Sequence, residues 1–257
     1  MSEQHSIVWY DWCMTHKQFV IGSGDLSPQF TYEDSQAELG PIAHYLIKLS
    51  GKTRPKICYI GTAAGDSMLW INRFYDACSS HNIEASHLQL FKKPNHEDVR
   101  NHLLNQDIIW VAGGSTANLL AVWKVHDLMD ILLEAQAHGT ILSGYSAGCI
   151  CWSVGGTCDS WGDMLRPLIN EDAQLPYSMC VHYDNEPRRR PMYLELIKDG
   201  TLPAGYATEE GVSIHFIDGK VHKIITDTPG QAAYYVSRDK NHKVIEKGLE
   251  PELLTAS

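Results

Sequence analysis

The stretch GTILSGYSAGCICW, residues 139–152, places one serine between two glycines at the end of a short apolar run. The apolar run predicts a buried strand over residues 139–142, and a run of small and apolar residues follows the motif GYSAG at 144–148. A strand in the core has no need of that serine. A strained strand-to-helix turn that displays a nucleophile does need it, with glycine on both sides because nothing larger fits.

Apolar runs of strand length alternate with segments of helical periodicity along the first two-thirds of the chain. Such alternation predicts βαβ units and a mostly parallel sheet covered by helices on both faces. The first helix is expected to have Asp34 or Ser35 as its N-cap. The expected strands are 18–22, 56–60, 84–90, 107–111 and 139–142, and the expected helices are 35–49, 68–81, 95–105, one from about 117, and 128–138.

The last third of the chain has a different pattern. It predicts a helix that starts near Pro191 and ends at Asp199, and a β-hairpin whose two strands flank IDGK. The polar tail from Asp239 is expected to be poorly ordered. We interpret residues 1–257 as one domain, with an N-terminal extension at 1–16 and the tail at 239–257. The strands expected in this part are 179–182, 205–208, 212–216, 221–226 and 233–236.

Composition excludes several classes of protein. The chain has 257 residues and a formal net charge of -10, and its one dense basic cluster is Arg188 to Arg190, so a nucleic-acid partner is not expected. No apolar run approaches the roughly 20 residues of a membrane span, and the N-terminus lacks the pattern of a signal peptide. We therefore expect a cytoplasmic protein without a membrane partner.

The seven cysteines are odd in number and irregularly spaced, which indicates buried free thiols. Cys149 and Cys151 lack the second cysteine pair that a zinc site requires. The sequence therefore implies neither a metal nor an organic cofactor.

A nucleophilic Ser146 requires a base. His182 is the best candidate, because it ends an expected strand and is followed by the polar segment YDNEPRRR, at the same edge of the sheet as Ser146. His215 and His222 lie in the hairpin and His242 lies in the tail, positions more typical of structural or surface residues.

The base in turn requires a carboxylate that orients it. Glu210 follows a short strand in ATEEGVS, and Glu209 and Asp159 are the alternatives that the sequence leaves open. Asp184 is too close to His182 along the chain to orient it, although it is expected to line the site.

The loop VAGGST follows the strand DIIWV and supplies a second backbone donor for an oxyanion hole. Gly113 and Gly114 let the backbone approach a substrate closely, and the N–H groups of Gly114 and Ala147 are the expected donors. The order Ser146, His182, acid and the absence of an HGG motif argue against an ordinary α/β-hydrolase.

Four of the stretches that carry a resemblance are YIGTAAGDS, DIIWVAGGSTANLLAVWK, ILSGYSAGCICW and CVHYDNEPRRRPMYLELIKDGTLPAGYATEEGVSIHF. Together they resemble the peptidase E (aspartyl dipeptidase) family, which is related to cyanophycinase. The resemblance covers roughly residues 19–235. It implies a three-layer αβα sandwich similar to class I glutamine amidotransferases, with the hairpin added near the C-terminus.

The resemblance also implies an activity. It gives Ser146, His182 and Glu210 the roles of nucleophile, base and acid, with Gly114 and Ala147 as the oxyanion hole. The implied substrate is a small peptide, such as a dipeptide with an N-terminal aspartate, and the chain is compatible with a homodimer. The residues expected to bind the substrate are Gly113, Ser115, Tyr145, Asp184 and Arg188.

This chain departs from the family at three places. Ser115 stands where the family's glycine loop usually has asparagine, relatives of the HYDxExxRRP type often have Asp in place of Glu210, and the N-terminal extension has no counterpart. An acidic substrate side chain needs a cation, for which Arg188 to Arg190 are the obvious source unless they pair with Asp184 and Glu186. A pocket lined by Tyr145, Trp110 and Trp152 would favour an esterase or amidase, and a vestigial site would favour a binding protein.

Overall fold

The computed structural model describes residues 16–26 and 38–255. Fourteen strands and seven α-helices form in these ranges. The helices are α1 (Pro41–Ser50), α2 (Met68–Ser79), α3 (Val99–Leu104), α4 (Thr116–Val125), α5 (Leu128–Ala137), α6 (Ala147–Ile150) and α7 (Arg189–Asp199).

The strands fall into two sheets. The larger sheet contains β1 (Gln18–Gly22), β2 (Lys56–Ile60), β3 (Glu84–Leu88), β4 (Ile108–Val111), β5 (Ile141–Tyr145), β10 (Val212–Ile217), β11 (Lys220–Thr226) and β14 (Glu252–Leu253). The smaller sheet contains β6 (Ser153–Cys158), β7 (Arg166–Ile169), β8 (Leu175–Cys180), β9 (Gly205–Thr208), β12 (Ala233–Arg238) and β13 (Val244–Leu249).

The larger sheet has the order β14-β11-β10-β1-β5-β4-β2-β3. Its five strands from β1 to β3 in this order run parallel, while β10 and β11 add the antiparallel hairpin. Because the carboxyl ends of the parallel strands meet at one edge, the loops that follow β1, β2, β4 and β5 lie side by side.

Alternate residues of the parallel strands enter two different apolar clusters, as a sheet covered on both faces requires. On β4, Ile108 and Trp110 pack with helices α1 and α2, whereas Ile109 and Val111 pack with α4, α5 and α6. The helices therefore cover both faces, and the predicted three-layer architecture with its hairpin is confirmed.

The smaller sheet was not predicted. Its inner residues share one apolar cluster with β1 and β10 of the larger sheet, while α7 packs against a separate cluster. Strands β6 and β7 lie in a segment with no strand expected from the sequence, because Gly155 and Gly156 interrupt its apolar pattern. Residues of both sheets therefore contribute to one apolar cluster.

The expectation of a poorly ordered tail was wrong. Residues 244–249 form β13, which pairs antiparallel with all six residues of β12, and Glu252–Leu253 extends the larger sheet as β14. The Glu246 carboxylate accepts hydrogen bonds from Tyr183 and Arg190, so polar residues of the tail have specific partners.

Element ends also differ in places. Helix α3 begins at Val99 because Asp98 caps it by accepting a hydrogen bond from the Asn101 N–H at 2.8 Å. The expected N-cap at Asp34 or Ser35 and nearly all of the N-terminal extension lie outside the described residues. The six cysteines in the described ranges are free and buried, as predicted.

In the described ranges, no helix is both long enough and apolar enough to cross a lipid bilayer.

Candidate active site

Ser146 lies at a strained turn between β5 and α6. Its backbone angles are φ 58° and ψ -114°, in a region that residues other than glycine rarely adopt. A Cβ at Gly144 or Gly148 would overlap the backbone carbonyl of Val111, so both positions require glycine. The helix that follows is a single turn, Ala147–Ile150, shorter than the motif alone suggests. The turn leaves Ser146 partly exposed while Ala147 is buried.

His182 follows the end of β8 and also has a positive φ, 55°. Its Nδ1 lies 2.6 Å from Glu210 Oε2. Because a carboxylate accepts hydrogen bonds and does not donate them, Nδ1 carries a proton in this pair, and in the neutral imidazole the lone pair is then on Nε2. The imidazole therefore has the tautomer that a general base needs.

The two alternatives to Glu210 have other contacts. Glu209 accepts hydrogen bonds from the Ala232 N–H at 2.7 Å and the Tyr234 hydroxyl at 2.9 Å. The Oδ2 atom of Asp159 lies 3.5 Å from Nη2 of Arg189. Of the three carboxylates that the sequence leaves open, the geometry joins Glu210 to His182.

The backbone brings the loops of Ser146 and His182 together, although no hydrogen bond between described residues joins their side chains. The Tyr145 ring lies edge-on to the His182 ring, with a centroid distance of 5.8 Å. Catalytic hydrogen bonds are often long without substrate and tighten only in the complex, so this arrangement is compatible with a nucleophile and its base.

The loop after β4 lies against the turn of Ser146. A Cβ added at Gly113 would lie 3.1 Å from Ser146 Cβ. Gly114 has φ 136°, and a Cβ added there would overlap the backbone carbonyl of Ala63. Among the hydrogen bonds between described residues, none uses the N–H of Gly114 or Ala147. Both donors are therefore free for a developing oxyanion.

A cavity of about 530 Å³ opens beside this loop. Its lining includes Gly113, Gly114 and Tyr145 from the predicted site, and it includes Glu210. The aromatic residues that line it are Tyr59, Trp70, Phe74, Trp110 and Tyr145. Trp152, which was also considered for the pocket, is instead buried in the core beside Phe19 and Trp123.

The charged groups in the described lining of the cavity are carboxylates. Asp25, Glu210 and Asp227 contribute them, and this part of the lining has no arginine or lysine. Burial, with smaller contributions from the nearby Glu210 and Asp227, raises the pKa of Asp25 to about 7. Burial also raises the pKa of Asp227, whose buried Oδ2 atom has no hydrogen-bond partner among the described residues.

The arginines expected near the substrate pair elsewhere. Arg188 binds Glu186, at 2.8 Å from Nε to Oε1, and donates to the Asp163 carbonyl. Arg189 is buried and donates to the Thr157 carbonyl, and Arg190 binds Glu246. None of the three lines the cavity, so the expected role of Arg188 in substrate binding has no support here.

Two other residues expected to bind substrate have structural contacts instead. Ser115 caps α4 by accepting a hydrogen bond from the Asn118 N–H at 3.2 Å. Asp184 accepts hydrogen bonds from the Glu210 N–H at 2.9 Å and from Gln231. Asp184 therefore stabilises the loop that carries Glu210, and it is not among the described residues that line the cavity.

The sequence analysis missed Ser23, Asp25 and Asp227. Ser23 and Asp25 belong to the glycine-rich segment GSGD after β1, which the pattern identifies only as a strand end. The signal that could have found them is topological, because β1 is the neighbour of β5 and its carboxyl end faces the same edge.

Comparison with known proteins gives a family match. The model of peptidase family S51 matches residues 20–224 of this chain. The "Uncharacterized peptidase YgaJ" of Bacillus subtilis (strain 168) is 39% identical over 210 residues, which cover 82% of this chain and 90% of that protein.

Two solved structures share the fold. A peptidase from an acI-B1 Actinobacterium superposes with a TM-score of 0.67 at 14% identity, covering 93% of this chain and 96% of the other. A structure described as a "Putative Peptidase E Protein from Listeria monocytogenes EGD-e" has a TM-score of 0.54 at 19% identity and covers 92% and 100% of the two chains.

Proposed function

This chain belongs to peptidase family S51, and we propose that it hydrolyses short peptides through an acyl-enzyme formed on Ser146. The resemblance to peptidase E proteins found in the sequence is confirmed at the level of the family. The residues and the substrate proposed below go beyond that family membership.

The main support for the proposal is the pair of His182 and Glu210, which the loops after β8 and β9 of the smaller sheet bring to the carboxyl end of β1, beside the strained Ser146. The 2.6 Å contact between His182 Nδ1 and Glu210 Oε2 leaves Nε2 as the basic nitrogen. His182 would remove the Ser146 proton as the hydroxyl attacks the scissile carbonyl. It would then give that proton to the leaving amine.

The backbone supplies the electrostatic part of the mechanism. The tetrahedral oxyanion would accept hydrogen bonds from the N–H groups of Gly114 and Ala147. Loss of one such donor in a serine peptidase typically costs about 10²–10³ in kcat. Water activated by His182 would then attack the acyl-enzyme and release the acid.

The family resemblance in the sequence also implies a specific substrate, a dipeptide that is cleaved after an N-terminal aspartate. Such a side chain needs a cation, and the three arginines that could supply one bind other residues. The described lining of the cavity carries carboxylates instead. We therefore propose that the first residue of the preferred peptide is neutral or basic, and we treat the aspartate preference as the alternative to be tested.

A second candidate is an esterase or amidase that uses the same three side chains. The observation that favours it is the aromatic lining of the cavity by Trp110 and Tyr145, without a basic side chain in its described part. Such an enzyme would accept acyl groups that lack a free amino terminus.

The test compares wild type with Ser146→Ala and with Ser143→Ala. The second variant is a control that removes the hydroxyl of a buried serine on β5. Each protein is treated with a fluorophosphonate probe and assayed on a panel of dipeptides, N-acetylated peptides and p-nitrophenyl esters. We expect labelling and dipeptide hydrolysis to require Ser146 and to persist in Ser143→Ala. Absence of both in wild type, or their survival in Ser146→Ala, would overturn the proposal. Turnover of esters alone would support the second candidate.

A further inference from the structure

The carboxyl end of β1 contacts the loops of all three proposed catalytic residues. The Gly22 carbonyl accepts a hydrogen bond from the Ser146 N–H at 3.0 Å. The next residue, Ser23, accepts one from the His182 N–H at 2.9 Å through its hydroxyl and one from the Gly211 N–H at 3.2 Å through its carbonyl. Two consecutive residues therefore connect the nucleophile, the base and the segment that carries Glu210.

The Ser23 hydroxyl is fully used in these contacts. It is 1% exposed, and its oxygen lies 2.9 Å from the Thr208 carbonyl oxygen and 2.7 Å from Thr208 Oγ1. A serine hydroxyl has one proton and two lone pairs. It can donate to the Thr208 carbonyl while it accepts from the His182 N–H and from the Thr208 hydroxyl, so every group in this buried set has a partner.

The bond to His182 constrains a strained backbone. His182 has φ 55°, in the left-handed region, where a non-glycine residue costs about 1–3 kcal/mol and persists only if its surroundings hold it. Without the Ser23 oxygen, the His182 N–H would lose its acceptor at a point where the backbone is already strained. The ring would then be less firmly held in line with Glu210.

The contacts with Thr208 extend the same constraint to the acid. Thr208 ends β9, two residues before Glu210, and its carbonyl also accepts a hydrogen bond from the Tyr183 N–H at 3.1 Å. The Ser23 hydroxyl thus lies between the chain segments of His182 and Glu210 and fixes their separation.

We propose that Ser23 is a positioning residue, which holds the His182 ring and the Glu210 carboxylate in register with Ser146 through its buried hydroxyl. This inference rests on the proposed function, because it assigns a task only in a Ser146-dependent reaction. Ser23 belongs to the lining of the cavity, but its side chain is buried and its hydroxyl bonds the backbone N–H of His182 rather than the ring. We therefore expect loss of this hydroxyl to change the chemical step and the nucleophilicity of Ser146.

The experiment measures kcat, KM and the second-order rate of fluorophosphonate labelling for Ser23→Ala, Ser23→Thr and Ser143→Ala. Ser143 is a matched control, because it is equally buried, lies on the neighbouring strand and makes one long hydrogen bond of 3.4 Å to the Ile109 carbonyl. Circular dichroism and urea titration verify that each variant is folded under assay conditions.

We expect Ser23→Ala to lower kcat and the labelling rate together by about 10- to 100-fold, part of the 10²–10⁴ that a positioned base contributes. KM should stay within about threefold, Ser23→Thr should recover most of the labelling rate, and Ser143→Ala should match wild type. If Ser23→Ala does not fold, Ser23→Cys takes its place with an intermediate loss expected, because a thiol is a weak acceptor.

Three results would overturn the positioning role: a labelling rate within twofold of wild type in a folded Ser23→Ala or Ser23→Cys, an equal loss in Ser143→Ala, or an effect confined to KM. These outcomes differ from failure of the proposed function. In that case wild type itself would show no labelling at Ser146, and the comparison among variants would have no signal.

Discussion

Two adjacent glutamates have separate contacts, although the sequence does not distinguish them. Glu210 contacts the His182 ring, whereas Glu209 binds the backbone of Ala232 and the hydroxyl of Tyr234. We predict that Glu210→Gln lowers kcat by about 10²–10⁴, because the amide can favour the wrong imidazole tautomer, as in serine peptidases that lose their triad acid. Steady-state kinetics on a dipeptide substrate measure this change.

Glu209→Gln is the matched control for that experiment. It should keep kcat within about threefold of wild type and lower the denaturation midpoint, because it weakens two hydrogen bonds that hold β12 against the end of β9. If Glu209→Gln loses as much kcat as Glu210→Gln, the assignment of the acid is wrong.

The residues of the candidate site differ in how well the sequence predicts them. Ser146, His182 and Glu210 each follow a predicted strand, which made them identifiable as strand-end residues. The sequence expectation of one shared sheet edge was wrong, because β8 and β9 belong to the smaller sheet and meet the turn of Ser146 through the end of β1. Pairing of Arg188 with Glu186 was one of two alternatives that the sequence left open, because a run of charges near a site does not show whether it binds substrate or its own neighbours. Ser23 was missed because its local sequence resembles any other glycine-rich turn, and only the pairing of β1 with β5 places it beside Ser146.

Among the structural elements, the turn between β5 and α6 has a strict steric requirement at two glycines. A methyl group at Gly148 would overlap the backbone of Val111, which cannot move aside without disturbing β4. We predict that Gly148→Ala destabilises the protein by about 1–3 kcal/mol, the usual cost of overpacking, and lowers activity further by displacing Ser146. Urea denaturation and fluorophosphonate labelling measure the two effects separately.

Gly248→Ala provides the control for the turn. Gly248 lies in β13, and a Cβ at this position has no heavy atom within 4 Å in the described residues. The substitution should be neutral or stabilise the protein by up to about 1 kcal/mol, because it restricts the unfolded chain. Equal destabilisation by both substitutions would show that the turn is not specifically crowded.

Prediction of the elements succeeded where burial produces an uninterrupted apolar run. Strands β2 and β9 occupy the predicted residues, because their apolar runs end at clear loop signals. Strands β6 and β13 were missed for physical reasons: β6 contains two glycines, and β13 lies at a sheet edge where its residues alternate between half-buried and exposed. A polar edge strand is specified by its neighbour β12 rather than by its own composition.

At the scale of the whole molecule, the sheet edge collects both the catalytic candidates and negative charge. The cavity receives Asp25 from the loop after β1, Glu210 from the loop after β9 and Asp227 from the end of β11. These residues come from distant parts of the chain, so their common location is a consequence of the topology. The net charge of -10 adds a field of the same sign.

This charge distribution predicts which N-terminal residue of a dipeptide substrate the enzyme prefers. An aspartate side chain would meet like charges, whereas asparagine has nearly the same shape without the charge. Two charges about 8 Å apart interact by about 2 kcal/mol at an effective dielectric constant near 20. We therefore expect kcat/KM for Asn-Leu to exceed that for Asp-Leu by about 30-fold at pH 8.

The ratio of these two kcat/KM values should depend on pH through Asp25. Because burial raises the pKa of Asp25 to about 7, its carboxyl is largely neutral at pH 6 and charged at pH 8. The ratio should therefore rise between these two pH values in wild type. It should be smaller and flatter in Asp25→Asn, while Asp76→Asn, at an exposed position on α2, should behave like wild type. A ratio below one at pH 8 would mean that the enzyme prefers an acidic first residue, as the resemblance to aspartyl dipeptidases implies, and that the charge of the cavity does not select the substrate.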